Sequence, residues 1–431
     1  MFFEVQVLII ESRYMNKHNY VAIMAGGIGS RFWPMSRTDM PKQFLDILNI
    51  GRTLIQSTYD RFIQFIPPEN IYIVTSSQYK NIVQEQLPDL QVSNILCEPS
   101  RKNTAPCIAY ISYKLFELDP NANLICAPAD HLITETQAFI DICEHALHFT
   151  SHIKALITLG IKPTNPNTGY GYIQYESLAA GDNVYKVKLF TEKPDKELAK
   201  TFVASGDFLW NSGIFVWQVK NIIKAFENNE PELHEVFEAE KELFNTEKEQ
   251  EMIDRIYPQC TNISIDYAVM EKADNVFVIP SSFGWSDLGT WTSAYETFEK
   301  DYLENAVGGN EVVIIDATKN MVQVPQNKLV VLQGLDDFIV VDTQDVLLIC
   351  KKEKEQEMID RIYPQCTNIS IDYAVMEKAD NVYVIPSSFG WSDLGTWTSA
   401  YETFEKDYLE NAVGGNEVII IDATKNMVQV P

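Results

Sequence analysis

Seventy-nine residues of this chain occur twice. Glu247–Pro325 recurs as Glu353–Pro431 at a constant offset of 106, with two differences, Phe277 against Tyr383 and Val313 against Ile419. Solenoid repeats are shorter, more numerous and more diverged, so this is a recent duplication and not an architecture. Any core built from these residues has room for one copy. The first is expected to complete the fold, because its connection from Asn211 is shorter and loop closure costs more with length. The second copy, 353–431, is then expected to form no independent domain. It would be disordered, loosely docked, or ready to pair with the exposed edge of another chain. A homodimer by domain swapping is one such outcome. Both copies open with Glu-Lys-Glu-Gln-Glu, the point where recombination or misassembly of the underlying sequence is expected to have rejoined the chain. The ordinary protein would read through Cys350-Lys351-Lys352 into a short ending.

The duplication also changes what the composition means. At 431 residues the chain has length for two or three domains, and 46% hydrophobic residues are ample for a packed core. The formal charge is −26; the second copy carries 14 acidic and 5 basic residues, which leaves −17 for Met1–Lys352. That acidity, without a Lys/Arg cluster, excludes duplex nucleic acid and an anionic membrane surface as partners, while leaving room for a narrow basic cleft. Seven cysteines form no C-x-x-C, which reads as buried reduced thiols in a cytoplasmic protein. Val5–Ile10 is apolar but short and flanked by Glu4 and Glu11, so 1–19 reads as an extension, neither signal peptide nor membrane span, with Met15 the more natural start.

From Tyr20 onward, strand and helix patterns alternate: strands at 20–25, 71–75, 95–97, 123–127 and 155–159, helices at 53–62, 78–87, 105–118 and 136–149. This predicts an α/β domain over 20–305, Rossmann-like, with a mostly parallel mixed sheet and ligands at the carboxyl ends of its strands. Beyond Val307, short extended runs about ten residues apart, punctuated by Gly, Asn and Asp, predict a small β domain over 306–352.

The sharpest local motif is Ala25-Gly26-Gly27-Ile28-Gly29-Ser30-Arg31-Phe32-Trp33-Pro34, followed by Pro41-Lys42-Gln43. Glycines directly after a strand let backbone N–H groups approach phosphate oxygens, and Arg31 and Lys42 supply charge for a polyphosphate. No Gly-Lys-Ser/Thr follows, and Phe32 stands where a dinucleotide fingerprint has its third glycine. The glycines alone would fit a plain strand-to-helix turn; Arg31 and Lys42 in the same stretch argue for phosphate.

This stretch resembles the nucleotide-binding signature of sugar-1-phosphate nucleotidylyltransferases, and specifically of mannose-1-phosphate guanylyltransferases. The resemblance continues in order through Glu98-Pro99-Ser100-Arg101-Lys102-Asn103-Thr104, Pro128-Ala129-Asp130-His131, Gly160–Thr164 and Thr168-Gly169-Tyr170-Gly171-Tyr172. Then come Glu192-Lys193-Pro194, Leu209-Trp210-Asn211-Ser212-Gly213, Ile265–Lys272 and Gly284–Trp291. The extra N-terminus, Ser100-Arg101-Lys102 where a Gly-Arg pair is usual, and the duplicated tail depart from the family pattern. No sugar-isomerase segment follows, which implies the monofunctional type.

The resemblance implies attack by a sugar-1-phosphate oxygen on the α-phosphorus of GTP, with pyrophosphate leaving. Such a reaction needs positioning and charge neutralisation more than covalent help. Arg31, Lys42, Asp130, Lys193 and Asp287 are the implied catalytic residues, with Asp130 and Asp287 holding Mg²⁺. Gly26, Gly27, Gly29, Ser30, Arg31, Lys42, Glu98, Arg101, Asn103 and Thr104 would bind the nucleotide, Glu98 as candidate for the guanine edge. Gly169, Tyr170, Gly171, Glu192, Lys193 and Asn211 would bind mannose 1-phosphate. Singly, Asp130 reads as a helix N-cap, Asp287 as a turn residue and Lys193 as a solvated loop lysine; the ordered series favours the site. Another sugar or base, or an inactive nucleotide-binding protein, are the competing readings. His145, His148 and His152 share a helix face without a carboxylate partner and read as surface histidines.

Overall fold

A computed structural model of the chain describes residues 15–27, 30–309 and 311–362, together with Lys406, 410–414 and 427–429. These fall in two units, Met1–Cys366 and Thr367–Pro431. Residues 1–14, and the repeated aspartates Asp372 and Asp393, lie outside the described residues.

The first unit opens with β1 (Asn19–Met24), α1 (Leu54–Phe62), β2 (Ile71–Ser76), α2 (Lys80–Gln86), β3 (Ile95–Glu98), α3 (Thr104–Leu118) and β4 (Asn123–Pro128). Next come β5 (Leu132–Ile133), α4 (Thr136–His152), β6 (Leu156–Ile161), β7 (Tyr172–Gly181), β8 (Val184–Thr191), α5 (Lys196–Ser205) and β9 (Phe208–Gln218). The domain closes with α6 (Val219–Asn229), α7 (Pro231–Glu238), α8 (Glu249–Ile256), β10 (Val276–Ser281), β11 (Trp285–Ser286) and α9 (Trp291–Thr297). Helix starts follow their caps. Thr53 and Gln56 form a reciprocal capping box on α1, and Asp195 caps α5 through Leu198 N–H.

The main sheet has the order β3-β2-β1-β4-β9-β6-β10-β8-β7. Its first four strands are parallel, and β6 and β10 are parallel to each other. Long β9 enters antiparallel between β4 and β6, and the β7–β8 hairpin is antiparallel too. The sheet is therefore mixed, with its parallel character concentrated in the half that carries the glycine loop. Period-two alternation splits the core between the two faces. Tyr20 and Ala22 of β1 pack with α3, α6 and α8, while Val21 and Ile23 pack with α1 and α4.

The small domain contains β12 (Ala306–Gly308), β13 (Val312–Ile315), β14 (Met321–Gln323), β15 (Val330–Gln333), β16 (Phe338–Asp342) and β17 (Leu347–Lys351). The pairs β12–β14, β14–β16 and β13–β15 are parallel, so the chain winds in coils before β17 turns back along β16. The domain does not stop at Lys352. The first residues of the second copy form α10 (Glu355–Ile362), whose Met358 packs into the cluster of Leu288, Trp291, Ile339 and Leu348. In the second unit, β18 (Ala412–Gly414) and β19 (Met427–Gln429) pair in parallel with Ala412 opposite Met427. That register repeats β12–β14, where Ala306 lies opposite Met321. Among the described residues no helix is long and apolar enough to cross a membrane.

Candidate functional site

The carboxyl end of β1 runs straight into Ala25-Gly26-Gly27. Buried Gln43 pins this turn by donating to the carbonyls of Ala25 and Gly27, both at 2.9 Å, and the Thr75 hydroxyl donates to Ala25 O as well. Gly29 lies outside the described residues, and Ser30 opens the short helical turn that contains Arg31. The Arg31 side chain is exposed and carries no ion pair among the described residues. Its charge is felt at the Tyr170 hydroxyl.

Lys42 is the centre of the arrangement. It is only 4% exposed, yet its ammonium donates to Asp130 Oδ2 at 2.9 Å and to the Asp287 carbonyl at 2.5 Å. Residues 88 and 245 positions away in sequence are thus joined through one cation. Asp130 follows β4 and Asp287 follows β11; β5 and β11 pair directly, Trp285 with Ile133 and Ser286 with Leu132. Burial pushes the Asp130 carboxyl up, but the Lys42 ammonium, by its charge and its hydrogen bond, outweighs burial and holds the group below its usual range. Asp287 Oδ1 accepts from the Tyr170 hydroxyl at 2.7 Å and from Gly289 N–H. Among the described residues no three His, Cys, Asp or Glu side chains form a metal cluster. Two carboxylates still suit a hard divalent cation that keeps waters and takes its other oxygens from phosphates.

Beside this pair opens a cleft of about 210 Å³, lined by Gly169, Tyr170, Gly171, Glu192, Asn211 and Asp287 among others. A Cβ on Gly171 would press on Glu192 Oε2, so a side chain there would displace that carboxylate. That oxygen is buried and has no hydrogen-bond partner, so it is an acceptor aimed at something the protein does not itself supply. Glu192 Oε1 accepts from Lys193 Nζ at 2.6 Å, and Lys193, at φ 46°, is held by its N–H on the Tyr170 carbonyl. Asn211 is fixed on three sides. Its N–H reaches the Gly171 carbonyl, its Oδ1 accepts from the Thr158 hydroxyl, and its Nδ2 donates to Asp266 Oδ1 at 2.9 Å.

Thr104 lies in the cleft at the start of α3, capped by Asn103 Oδ1, while Thr104 Oγ1 accepts from Ile265 N–H. Arg101 and Glu98 do not line this cleft. Arg101 is exposed and donates to the Tyr79 hydroxyl at 3.3 Å. Glu98 is buried beneath the glycine turn; it accepts from the Tyr257 hydroxyl, and its Oε2 lies 3.0 Å from where a Cβ on Gly26 would stand. Burial raises its carboxyl to about 7, against the lowering effect of hydrogen bonds from Tyr257 and Cys107.

Four residues at the site had no role assigned from the sequence. Asp266 stands on a π-helical turn, Asp266–Met270, a distortion common at functional sites. Burial, together with the Glu192 charge, raises it to about 7. His131 accepts from Trp285 Nε1 at 3.2 Å, and burial lowers its basicity, keeping it neutral. Trp285 and Trp210 meet Tyr170 edge-on at 5.3 and 5.0 Å, making an apolar wall. All four lie inside quoted motifs, but only pairing of distant segments shows them facing one cleft. The three helical histidines converge on no carboxylate site: His145 contacts the Asp182 carbonyl, and His148 and His152 contact each other.

Residues 20–304 match the family described as nucleotidyl transferase, and residues 310–360 match the MannoseP isomerase/GMP-like β-helix domain. The mannose-1-phosphate guanylyltransferase of Escherichia coli is 32% identical over 346 residues, 78% of this chain and 73% of that protein. The alginate biosynthesis protein AlgA of Pseudomonas putida is 35% identical over 341 residues, 78% of this chain and 69% of that one. Among solved structures, the mannose-1-phosphate geranyltransferase of Thermus thermophilus superposes with a TM-score of 0.72 at 29% identity. It covers 81% of this chain and 99% of its own. The chain belongs to the nucleotidyl transferase family, among relatives that include mannose-1-phosphate guanylyltransferases.

Proposed function

We propose that the protein transfers GMP from GTP to α-D-mannose 1-phosphate, giving GDP-mannose and pyrophosphate. The observation that carries this reading is the Lys42 ammonium joining Asp130 to the Asp287 loop, beside a cleft whose acceptors suit sugar hydroxyls. A sugar-phosphate oxygen attacks the α-phosphorus, and the α–β bridging oxygen leaves with pyrophosphate. Lys42 and Arg31 neutralise the triphosphate and the departing pyrophosphate. The carboxylates of Asp130 and Asp287 would hold Mg²⁺, which when bound would supply positive charge to offset that of the phosphates. Glu192 Oε2, buried and unpaired, accepts a sugar hydroxyl, and Asn211 flanks it. Lys193 reaches the sugar phosphate once it leaves Glu192. Tyr170 keeps the Asp287 carboxylate oriented, and the wall of Trp210 and Trp285 excludes water.

The relatives' names and the matched β-helix segment favour mannose and guanine over other sugars and bases. The test is pyrophosphate release from purified protein, with GTP, ATP, UTP and CTP each crossed against mannose, glucose and glucosamine 1-phosphates, with and without Mg²⁺. Release only with GTP and mannose 1-phosphate, dependent on the cation, is the expected result. Preference for another pair moves the reading within the family, and silence with every pair overturns it.

A further inference from the structure

The octapeptide Glu-Gln-Glu-Met-Ile-Asp-Arg-Ile forms a helix twice, as α8 and as α10, and each time its first glutamate is buried. The partners differ. Glu249 accepts from the Tyr110 hydroxyl, Lys114 Nζ and Asn245 N–H, all within the catalytic domain. Glu355 instead takes the N-terminus of α9: Oε1 accepts from Trp291 N–H at 2.5 Å, and Oε2 accepts from Thr292 N–H at 3.1 Å and the Thr292 hydroxyl at 2.7 Å.

The four residues before Trp291 are Asp287-Leu288-Gly289-Thr290, the loop that meets Lys42. Leu288 holds a φ of 43°, a left-handed backbone that a leucine adopts only where its surroundings enforce it. The enforcement is visible. Ser286 Oγ accepts from Leu288 N–H, Asp287 Oδ1 from Gly289 N–H, and Thr290 and Ser293 form a capping box. These leave the first two helical N–H groups of α9, at Trp291 and Thr292, for an outside acceptor. Glu355 supplies it, and Met358, one turn on, packs in the cluster that contains Leu288 and Trp291.

We propose that Glu355 is a positioning residue: by capping α9 it holds the Asp287 loop in register with Lys42 and Asp130. The role deepens the transferase reading above, and it assigns the opening of the second copy to the working enzyme.

The test uses the full chain carrying E355A or E355Q. Hydrogen exchange should be at least about tenfold faster at Trp291 and Thr292 in E355A, with amides of β1 and β4 unchanged. Turnover should fall about tenfold while the KM values for both substrates move less than about twofold, because Glu355 does not touch the substrates. In E355Q the single carbonyl oxygen can accept from Trp291 N–H or from Thr292 N–H but not from both, so protection should return at one of the two amides and turnover should recover only in part. Unchanged exchange and turnover in E355A, or a loss carried by KM, overturns the proposal. If E355A loses protection throughout the chain, E355D replaces it: acceleration confined to 290–297 supports the role, and its absence overturns it. An inactive parent protein would count against the transferase reading, while the exchange pattern alone would still decide for or against Glu355.

Discussion

Replacing Glu98 by glutamine separates charge from shape at the base of the glycine turn. The carboxyl titrates at about 7 in the folded chain against an ordinary 4.5, chiefly because burial disfavours its ionised form. Below about pH 4.5 it is protonated folded and unfolded, and burial exacts no ionisation cost. As pH rises toward 7 the unfolded chain releases this proton and the native chain does not, so stability falls. Above 7 the full penalty is present. A shift of about 2.5 units corresponds to roughly 3 kcal/mol. The substituted carboxamide could still accept from the Tyr257 hydroxyl with its carbonyl oxygen. E98Q should therefore be about 3 kcal/mol more stable than the parent at pH 8 and nearly equal at pH 4.5. At about 2 °C per kcal/mol for a chain of this size, Tm at pH 8 should rise by roughly 6 °C. Calorimetric scans from about pH 4.5 to 8.5 measure this. An equal shift at all pH values, or destabilisation at pH 8, would refute the burial account. The same variant tests the base edge: unchanged preference for GTP over ATP removes Glu98 from base selection.

Lys42→Met should lower kcat by about 10²–10³, the loss typical of removing one preorganised charge from a transition state, as read from initial rates at saturating substrates. Asp287→Asn should abolish turnover and Asp393→Asn should leave it intact; the reverse pattern would make the second copy the one that works. Arg61 is buried against Phe139, its Nε has no hydrogen-bond partner, and burial lowers its guanidinium to about 10. Arg61→Leu should be neutral or stabilising by about 1–4 kcal/mol in chemical denaturation, since a buried cation gives way to an apolar side chain.

What could be read from the sequence followed from local physics. Apolar periodicity located β1, α3, α4 and the short strands of the β domain closely, because burial of one face dictates that spacing. The glycine turn, Lys42, Asp130 and Asp287 stood in recognisable motifs, and the fold brings Lys42 and both aspartates together. Three things were not readable. The antiparallel insertion of β9 depends on long-range pairing, which no local pattern encodes. The unpaired state of Glu192 Oε2 emerges only when Gly171 is laid against it. The repeat begins directly after Lys352 and hides the end of the β domain, whose packing α10 carries past that point.

The two octapeptide helices bear on how this duplication can age. After most duplications one copy is redundant and free to drift while the other is held. Here Met252 is buried in the catalytic core and Met358 packs against the small domain, and each leading glutamate has its own hydrogen-bond donors. A change at the leading glutamate or the methionine of either octapeptide removes contacts that the twin, seated elsewhere, cannot restore. Identical sequences thus face separate selective demands, and at the glutamate and methionine positions the repeat offers no spare.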